Sequence, residues 1–450
     1  MFKTTNPYDL SDLEHFEQHS TSQVMELVDR ALSTYGYWKQ TKMLERAGLL
    51  QKLAAILTTK KDKYALQMTR EMGKPIGQAV AEIEKCAWVC DHYARNGEQY
   101  LQREIINTDA KKSFVSYEPM GVILAIMPWN FPFWQLFRFF APAVMAGNTT
   151  LLKHAPNTFG CAKLIEAAVE EAGFPRGILQ NLFVEVEQIE PVIANPSVKA
   201  VTLTGSGRAG RAVASIAGRH LKKTVLELGG SNAFVVMNDA NIDDALTTGL
   251  KARMQNSGQS CIAAKRFLLQ RGIADEYIEK YTGKVKEMKA GDPMKAESDI
   301  GPLARVDLAE QLEQQVKKSV DMGANILVGG LRTHALYEPT VITGVRPEMP
   351  VFDEETFGPV AAFTIFEDLD HAIELVSKSE YGLGVSVFTA DQEGVVARSS
   401  DFKDGALFVN DMVKSDPRLP FGGTGISGYG RELGSHGIKE FVNIKTVYVV

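Results

Sequence analysis

A 450-residue chain that is 45% hydrophobic and 23% charged is long enough for two or three domains around a sizeable core, and it reads as globular. Its net charge of −6, without a basic block, offers nucleic acid no electrostatic footprint, so the partner expected is a small molecule. Four cysteines, at 86, 90, 161 and 261, are too sparse for the disulfide framework of a small secreted domain, and a reducing, cytoplasmic setting is expected.

Residues 1–14 are acidic and polar where an export signal has a basic start and an apolar run. Over 21–101 apolar residues recur at helical spacing, Val24, Leu27, Val28 and Ala31, then Leu49, Leu50, Leu53 and Ile56. Gly36, Lys60-Lys61 and Gly73-Lys74-Pro75 punctuate this helical region. Cys86, Cys90 and His92 lie on a helix expected from Gly77, where i and i+4 share a face. No second ligand pair stands at a suitable spacing, so helix packing is expected there and no metal. The stretch 113–117 alternates as a strand, and 121–127 is a continuous apolar run suited to a buried parallel strand. Residues 122–146 approach the length of a membrane span, but Pro128, Asn130, Pro132, Arg138 and Pro142 interrupt them, which makes them a core segment rather than a membrane one. Helices are expected after Pro132 and over 158–172, a strand over 198–203, and a helix over 207–217. Beyond Gly230 the alternation restarts with a strand at 233–237, a helix at 243–256 and a strand at 266–270. Helices at 309–322 and 369–379 and strands at 384–389 and 406–409 follow. The chain ends in an apolar, β-branched strand over 441–450 with no helix left to cover it. Alternating strands and helices make the class α/β.

Cys261 stands behind Gly258, Gln259 and Ser260, small and amide residues that leave a substrate room to reach sulfur. An isolated intracellular cysteine is more often an inert buried thiol. This one is accompanied, in order, by Pro128-Trp129-Asn130-Phe131-Pro132, Leu226-Glu227-Leu228-Gly229-Gly230, Glu354-Glu355-Thr356-Phe357-Gly358-Pro359 and Pro420-Phe421-Gly422-Gly423. Together these motifs resemble the aldehyde dehydrogenase superfamily over nearly the whole chain. The resemblance implies a Rossmann-type cofactor domain over 1–100 and 120–229 and a second α/β catalytic domain over 230–435. It also implies a small β arm over 101–119 and 436–450 that pairs with another subunit in a homodimer or homotetramer.

Oxidising an aldehyde needs a nucleophile, a polarised carbonyl, a hydride acceptor and a water. The resemblance makes Cys261 the nucleophile, with the Asn130 side chain and the Cys261 backbone N–H as donors to the developing oxyanion. Read alone, Asn130 is more readily a turn residue before Pro132, and the accompanying motifs favour the oxyanion role. A carboxyl between Leu226 and Leu228, at the end of an apolar strand, has its pKa raised by burial, which suits Glu227 to general base catalysis. Its alternative is a surface glutamate on an edge strand, disfavoured because Gly229-Gly230 permits close backbone approach to a ligand.

The run Gly205-Ser206-Gly207-Arg208-Ala209-Gly210 satisfies the letters GxGxxG, yet the acid expected about 20 positions on falls at Leu226 and Glu227, already assigned. The resemblance instead places Gly205 and Ser206 against the pyrophosphate at a helix N-terminus. It puts Trp129, Glu355 and Phe357 around the nicotinamide half of the cofactor and Lys153 near the adenine ribose. NAD-selective relatives often carry a glutamate three residues after that lysine, and here Pro156 stands there. With that carboxylate gone, Lys153 is free to pair with a 2′-phosphate, helped by Arg208, so NADP is expected with NAD tolerated.

Arg138 lies among Phe133, Trp134, Leu136, Phe137, Phe139 and Phe140, eight residues beyond Asn130. That is about two turns, roughly 12 Å of helix. A guanidinium taken out of water needs an anion. A short aldehyde acid would meet that need; so would a structural ion pair. Relatives acting on succinic semialdehyde carry Arg at this position. Some carry a second arginine six residues before the cysteine, but here that residue is Gln255, leaving Arg253, Ser260 or Ser415 to compensate. The runs Lys153-His154-Ala155-Pro156, Ser415 to Gly423 and Ser427 to Glu432 resemble the shorter bacterial-type succinate-semialdehyde dehydrogenases. The expected activity is therefore NAD(P)-dependent oxidation of succinic semialdehyde to succinate. The alternatives are a CoA-acylating semialdehyde dehydrogenase, whose members commonly lack the base, and a non-catalytic protein on the same fold.

Overall fold

A computed structural model describes residues 1–450. Two parallel-type sheets carry the molecule. In the first, six strands run in the order Gly428–Tyr429, Lys223–Glu227, Val198–Thr204, Val122–Met127, Thr149–His154 and Leu179–Asn181. All are parallel except Gly428–Tyr429, which pairs antiparallel with Leu226 and Glu227. In the second, seven strands run Asn325–Val328, Thr340–Thr343, Val360–Phe366, Ala264–Gln270, Asn232–Val236, Val385–Phe388 and Leu407–Val409, antiparallel only at the first pair. Helices cover both faces of these sheets, which is why Val122–Met127 and Asn232–Val236 read as unbroken apolar runs rather than alternating ones. The chain passes from one sheet to the other between Glu227 and Asn232.

The expected helical N-terminal region is four helices, Thr21–Trp38, Met43–Thr59, Lys61–Met72 and Ile76–Tyr100. Cys86 and Cys90 point from the last of these into the core, where burial pushes both thiols up. His92 packs edge-on against Tyr93, and its Nε2 lies 3.2 Å from the Tyr100 hydroxyl. The apolar stretch after Pro132 is the fully buried helix Trp134–Ala146. No helix of the chain is long and apolar enough to cross a membrane.

Two elements of the first sheet escape a reading by periodicity. Thr149–His154 is buried along its whole length although it opens on two threonines and ends on Lys153-His154, and Leu179–Asn181 is too short to show a pattern. The terminal strand Val442–Val449 pairs antiparallel with Lys112–Pro119, which also pairs with Glu104–Ile105. This three-stranded arm leaves Ile444, Tyr448 and Val449 exposed on its edge strand, with Ile105 and Ile106 exposed at its other side.

Candidate active site

The helix expected to reach residue 256 stops at Met254, because the next turn has the opposite hand. Asn256 (φ 56°), Ser257 (φ 52°) and Gly258 (φ 73°) are consecutive left-handed residues. For the two non-glycine residues this costs on the order of 1 kcal/mol or more each. Hydrogen bonds hold the turn in place. The Asn256 N–H donates to Gln78 Oε1 at 2.6 Å, and Asn256 Nδ2 donates to the Asn130 and Gln259 carbonyls at 2.7 and 3.0 Å. Ser257 Oγ exchanges hydrogen bonds with the Gly301 backbone at 3.0 Å, and Gln259 Oε1 accepts from the Ala304 N–H at 2.9 Å. A side chain at 258 would run into the Gly358 carbonyl, so the glycine is required by space as well as by φ.

This turn presents Cys261, the only part-exposed cysteine of the four. Burial pushes its thiol up; Arg138 and Lys265 pull it down, and Glu355 and Glu227 oppose them. The resting nucleophile is therefore a thiol. Its backbone N–H donates to no protein acceptor. Asn130 is buried against the same turn, with Nδ2 donating to the Gln259 carbonyl at 3.2 Å and Oδ1 unpartnered. Glu227 closes the strand Lys223–Glu227, is buried, and has an unpartnered Oε1. Burial drives its carboxyl well above the usual range; Arg138 opposes the shift and Glu432 adds to it. The close backbone approach at Gly229-Gly230 is made to the protein itself. A side chain at 229 would strike the Glu355 carboxylate, and one at 230 the Cys261 carbonyl.

Cys261 opens onto a cavity of about 210 Å³ whose wall includes Ser260, Trp134, Lys85, Arg138 and Ser415. This is smaller than the roughly 300–1,000 Å³ of a drug-sized site and suits a small substrate. The anion that buried Arg138 requires is present in the protein. Its Nε pairs with the equally buried Glu432, Nη2 donates to Thr204 Oγ1 at 3.2 Å, and the guanidinium lies 4.8 Å from the Phe421 ring centroid. Arg253 does not reach the cavity. Its Nη2 donates to the Thr356 carbonyl at 3.1 Å and to the Gly358 carbonyl, bracing the loop behind the nucleophile, so it is not the compensating arginine. Ser260 and Gln255 do line the wall. Ser415 Oγ accepts from Lys85 Nζ at 2.8 Å and from Trp134 Nε1 at 3.1 Å.

A second group of residues gathers around Lys265. Its Nζ donates to Glu355 Oε1 at 2.8 Å, to the Cys261 carbonyl at 3.1 Å and to the Gly230 carbonyl. Phe357 lies 5.5 Å from that ammonium and edge-on to Trp129 at 5.6 Å. Further along the first sheet, Lys153 is buried at the end of Thr149–His154 with no acidic partner in bonding range, and burial lowers its pKa. Pro156 opens the short 3-10 turn that follows. Gly205 precedes the helix Gly207–Arg219, whose N-cap is Ser206; the Ser206 hydroxyl accepts from the Ala209 N–H at 3.3 Å, so it caps the helix. Gly210 lets that helix pack on Leu228, whose Cδ1 would sit 2.6 Å from an added Cβ. Arg208 is exposed on the first turn. A buried cation without a carboxylate, an open helix N-terminus and an aromatic pair beside a carboxylate form a donor set that fits a phosphorylated dinucleotide.

Lys85, Lys265, Thr204 and Glu432 are site residues that sequence reasoning missed. Lys85 carried a weak signal: it lies three residues from Glu82 on a helix whose neighbouring positions are apolar. Glu432 lay inside a quoted run, but nothing in the sequence ties it to Arg138, 294 positions earlier.

Residues 1–447 match the aldehyde dehydrogenase family. The chain is 46% identical over 449 residues, 99% of both chains, to a Synechocystis protein named probable succinate-semialdehyde dehydrogenase (NADP+). It is 44% identical over 414 residues, 91% of this chain and 90% of the other, to the Escherichia coli K12 succinate semialdehyde dehydrogenase (NAD(P)+) Sad. Among solved structures, succinic semialdehyde dehydrogenase from Streptococcus pyogenes, in complex with NADP+, superposes with a TM-score of 0.97 at 36% identity over all of both chains.

Proposed function

The chain belongs to the aldehyde dehydrogenase family, and on that premise we propose that it oxidises succinic semialdehyde to succinate with NADP, accepting NAD as well. The observation that carries this reading is Cys261, set by a strained turn at the mouth of a small cavity whose wall bears the cations Lys85, Arg138 and Lys414.

The Cys261 thiol first loses its proton to solvent through the cavity it opens onto, the thiolate adds to the aldehyde carbon, and the resulting oxyanion takes hydrogen bonds from the Cys261 backbone N–H and the second N–H of the Asn130 amide. NADP, when bound, supplies the hydride acceptor. Lys153 would receive the 2′-phosphate, Gly205 and the N-terminus beyond Ser206 would receive the pyrophosphate, and Glu355, Phe357 and Trp129 would hold the nicotinamide end. The thioester left on Cys261 is hydrolysed by a water that Glu227 deprotonates. Burial raises the Glu227 pKa, which makes the carboxylate a stronger base than that of an exposed glutamate. The free thiols and the absence of a spanning helix fit work in a reducing cytoplasm. The exposed edge of the arm fits a second copy of the chain, giving a homodimer or homotetramer.

Following cofactor reduction with a panel of aldehydes, with and without CoA, tests the reading. Succinic semialdehyde is expected to be the preferred substrate without CoA. A requirement for CoA points to the acylating reaction, and silence with every aldehyde to a non-catalytic protein.

A further inference from the structure

The segment that carries Asn130 has few donors by which to be held. Pro128 and Pro132 have no N–H, so the backbone there is anchored through its carbonyls. The Asn130 carbonyl accepts from Asn256 Nδ2 at 2.7 Å, and the Phe131 carbonyl from the Gln135 N–H at 3.0 Å. The Pro132 carbonyl lies 2.9 Å from Nε2 of His154. Just beyond Pro132, Glu82, which pairs with buried Lys74, accepts the Phe133 and Trp134 N–H groups at 3.0 and 2.9 Å. The Asn130 amide makes one hydrogen bond of its own and leaves Oδ1 unpartnered, so its aim depends on the backbone beneath it.

His154 ends the strand Thr149–His154 opposite Met127, whose own strand runs on into the Asn130 segment. Its ring is buried, and its partners fix its proton. The Ala155 N–H, which can only donate, meets Nδ1 at 2.9 Å, and the Thr158 hydroxyl lies 2.8 Å from the same nitrogen. Nδ1 therefore carries no proton. The neutral ring carries it on Nε2 and donates it to the Pro132 carbonyl. Burial brings the pKa of the ring down to about 4, so it keeps this form at neutral pH.

We propose that His154 is a positioning residue that fixes the aim of the Asn130 amide by holding the Pro132 carbonyl; this rests on the oxyanion role given to Asn130 above. Successive residues of a strand face opposite ways, so Lys153 and His154 leave one strand end for two different places. The first is free for the cofactor, and the second ties the oxyanion donor to the same strand. Lys153 is held by its strand, which is paired on both sides, and not by the His154 ring, so loss of the ring spares cofactor binding.

The test is the rate of cofactor reduction in a single turnover, at saturating NADP and with the aldehyde that the parent turns over fastest, together with the Kd of NADP. Asn130→Ala alone should be about 100- to 1000-fold slower than the parent. An asparagine at 154 can still accept the Ala155 N–H but falls short of Pro132, whereas a glutamine amide reaches Pro132 with a donor. His154→Asn should therefore be about 10- to 50-fold slower with the Kd of NADP unchanged, and His154→Gln within about 3-fold of the parent. Placed on Asn130→Ala, His154→Asn should cost less than about 2-fold more, because the group it positions is already gone. Should His154→Asn not fold, Thr158→Val replaces it: it keeps the shape of the residue and removes one of the two groups that fix the ring. Its loss should be smaller and should likewise vanish on Asn130→Ala. A parent-like rate in the tested variant, the same fold-loss with and without Asn130, no rescue by His154→Gln, or a loss confined to the Kd of NADP overturns the positioning role and leaves Asn130 standing. A parent-like rate in Asn130→Ala overturns the oxyanion reading itself, and the positioning role with it.

Discussion

Between Met254 and Cys261 the chain adopts a costly left-handed turn and ties down its polar groups with bonds to Gln78, Asn130, Gly301 and Ala304. On the cavity wall and along the first sheet, Lys85, Ser415 and Lys153 keep donors that no acidic group of the protein engages. The nucleophile is positioned by an over-determined backbone, and the charged ends of the ligands by side chains left open. Damage to the turn should therefore affect every aldehyde and the fold together. Damage to the open cations should alter selectivity and spare stability.

The largest effect should come from Cys261→Ala, which removes the sulfur without disturbing the turn. Turnover on every aldehyde falls at least about 1000-fold, while the melting temperature holds. Turnover near the parent rate would break the assignment of the nucleophile. Arg138→Leu comes next, because it strands Glu432 in the interior. A loss of about 3–5 kcal/mol is expected, read by denaturant unfolding, with both charged and neutral aldehydes suffering. Full stability in that variant would move Arg138 from the framework to the open cations. Gly258→Ala puts a Cβ against the Gly358 carbonyl at a left-handed φ, and about 2–4 kcal/mol should be lost, with activity falling alike on all aldehydes. The smallest effect belongs to Lys153→Met, which should raise the KM for NADP about 10-fold more than that for NAD, with no change in melting temperature. Equal effects on both cofactors would remove Lys153 from phosphate recognition.

The framework was the more legible of the two regions in the sequence. Apolar runs such as Val122–Met127 announce buried strands because both faces of the sheet are covered, and five motifs in order announce the family. The strand Thr149–His154 was not legible, since its polar ends are buried by tertiary packing that periodicity does not register. The turn at Asn256 and Ser257 was hidden for a different reason: neither residue type demands a left-handed φ, and the long-range bonds that impose it come from segments about 45 to 180 positions away. At the site, Cys261, Asn130 and Glu227 were named from local motifs; hydrogen bonds tie Asn130 to the turn, and the Glu227 charge acts on the Cys261 thiol. Arg138 was correctly read as needing an anion, but charge alone does not say whether the partner is substrate or Glu432. Lys85 was passed over because an unpaired cation on a helix looks like a solvated one until the cavity around it is seen.

The most direct test of the account is the fate of the acyl group on Glu227→Gln. Mixed with succinic semialdehyde and NADP, this variant should release one burst of reduced cofactor per active site and then stall, with a succinyl-sized mass increase on the peptide carrying Cys261. Sustained turnover without a burst, or an adduct on any other residue, would contradict the account.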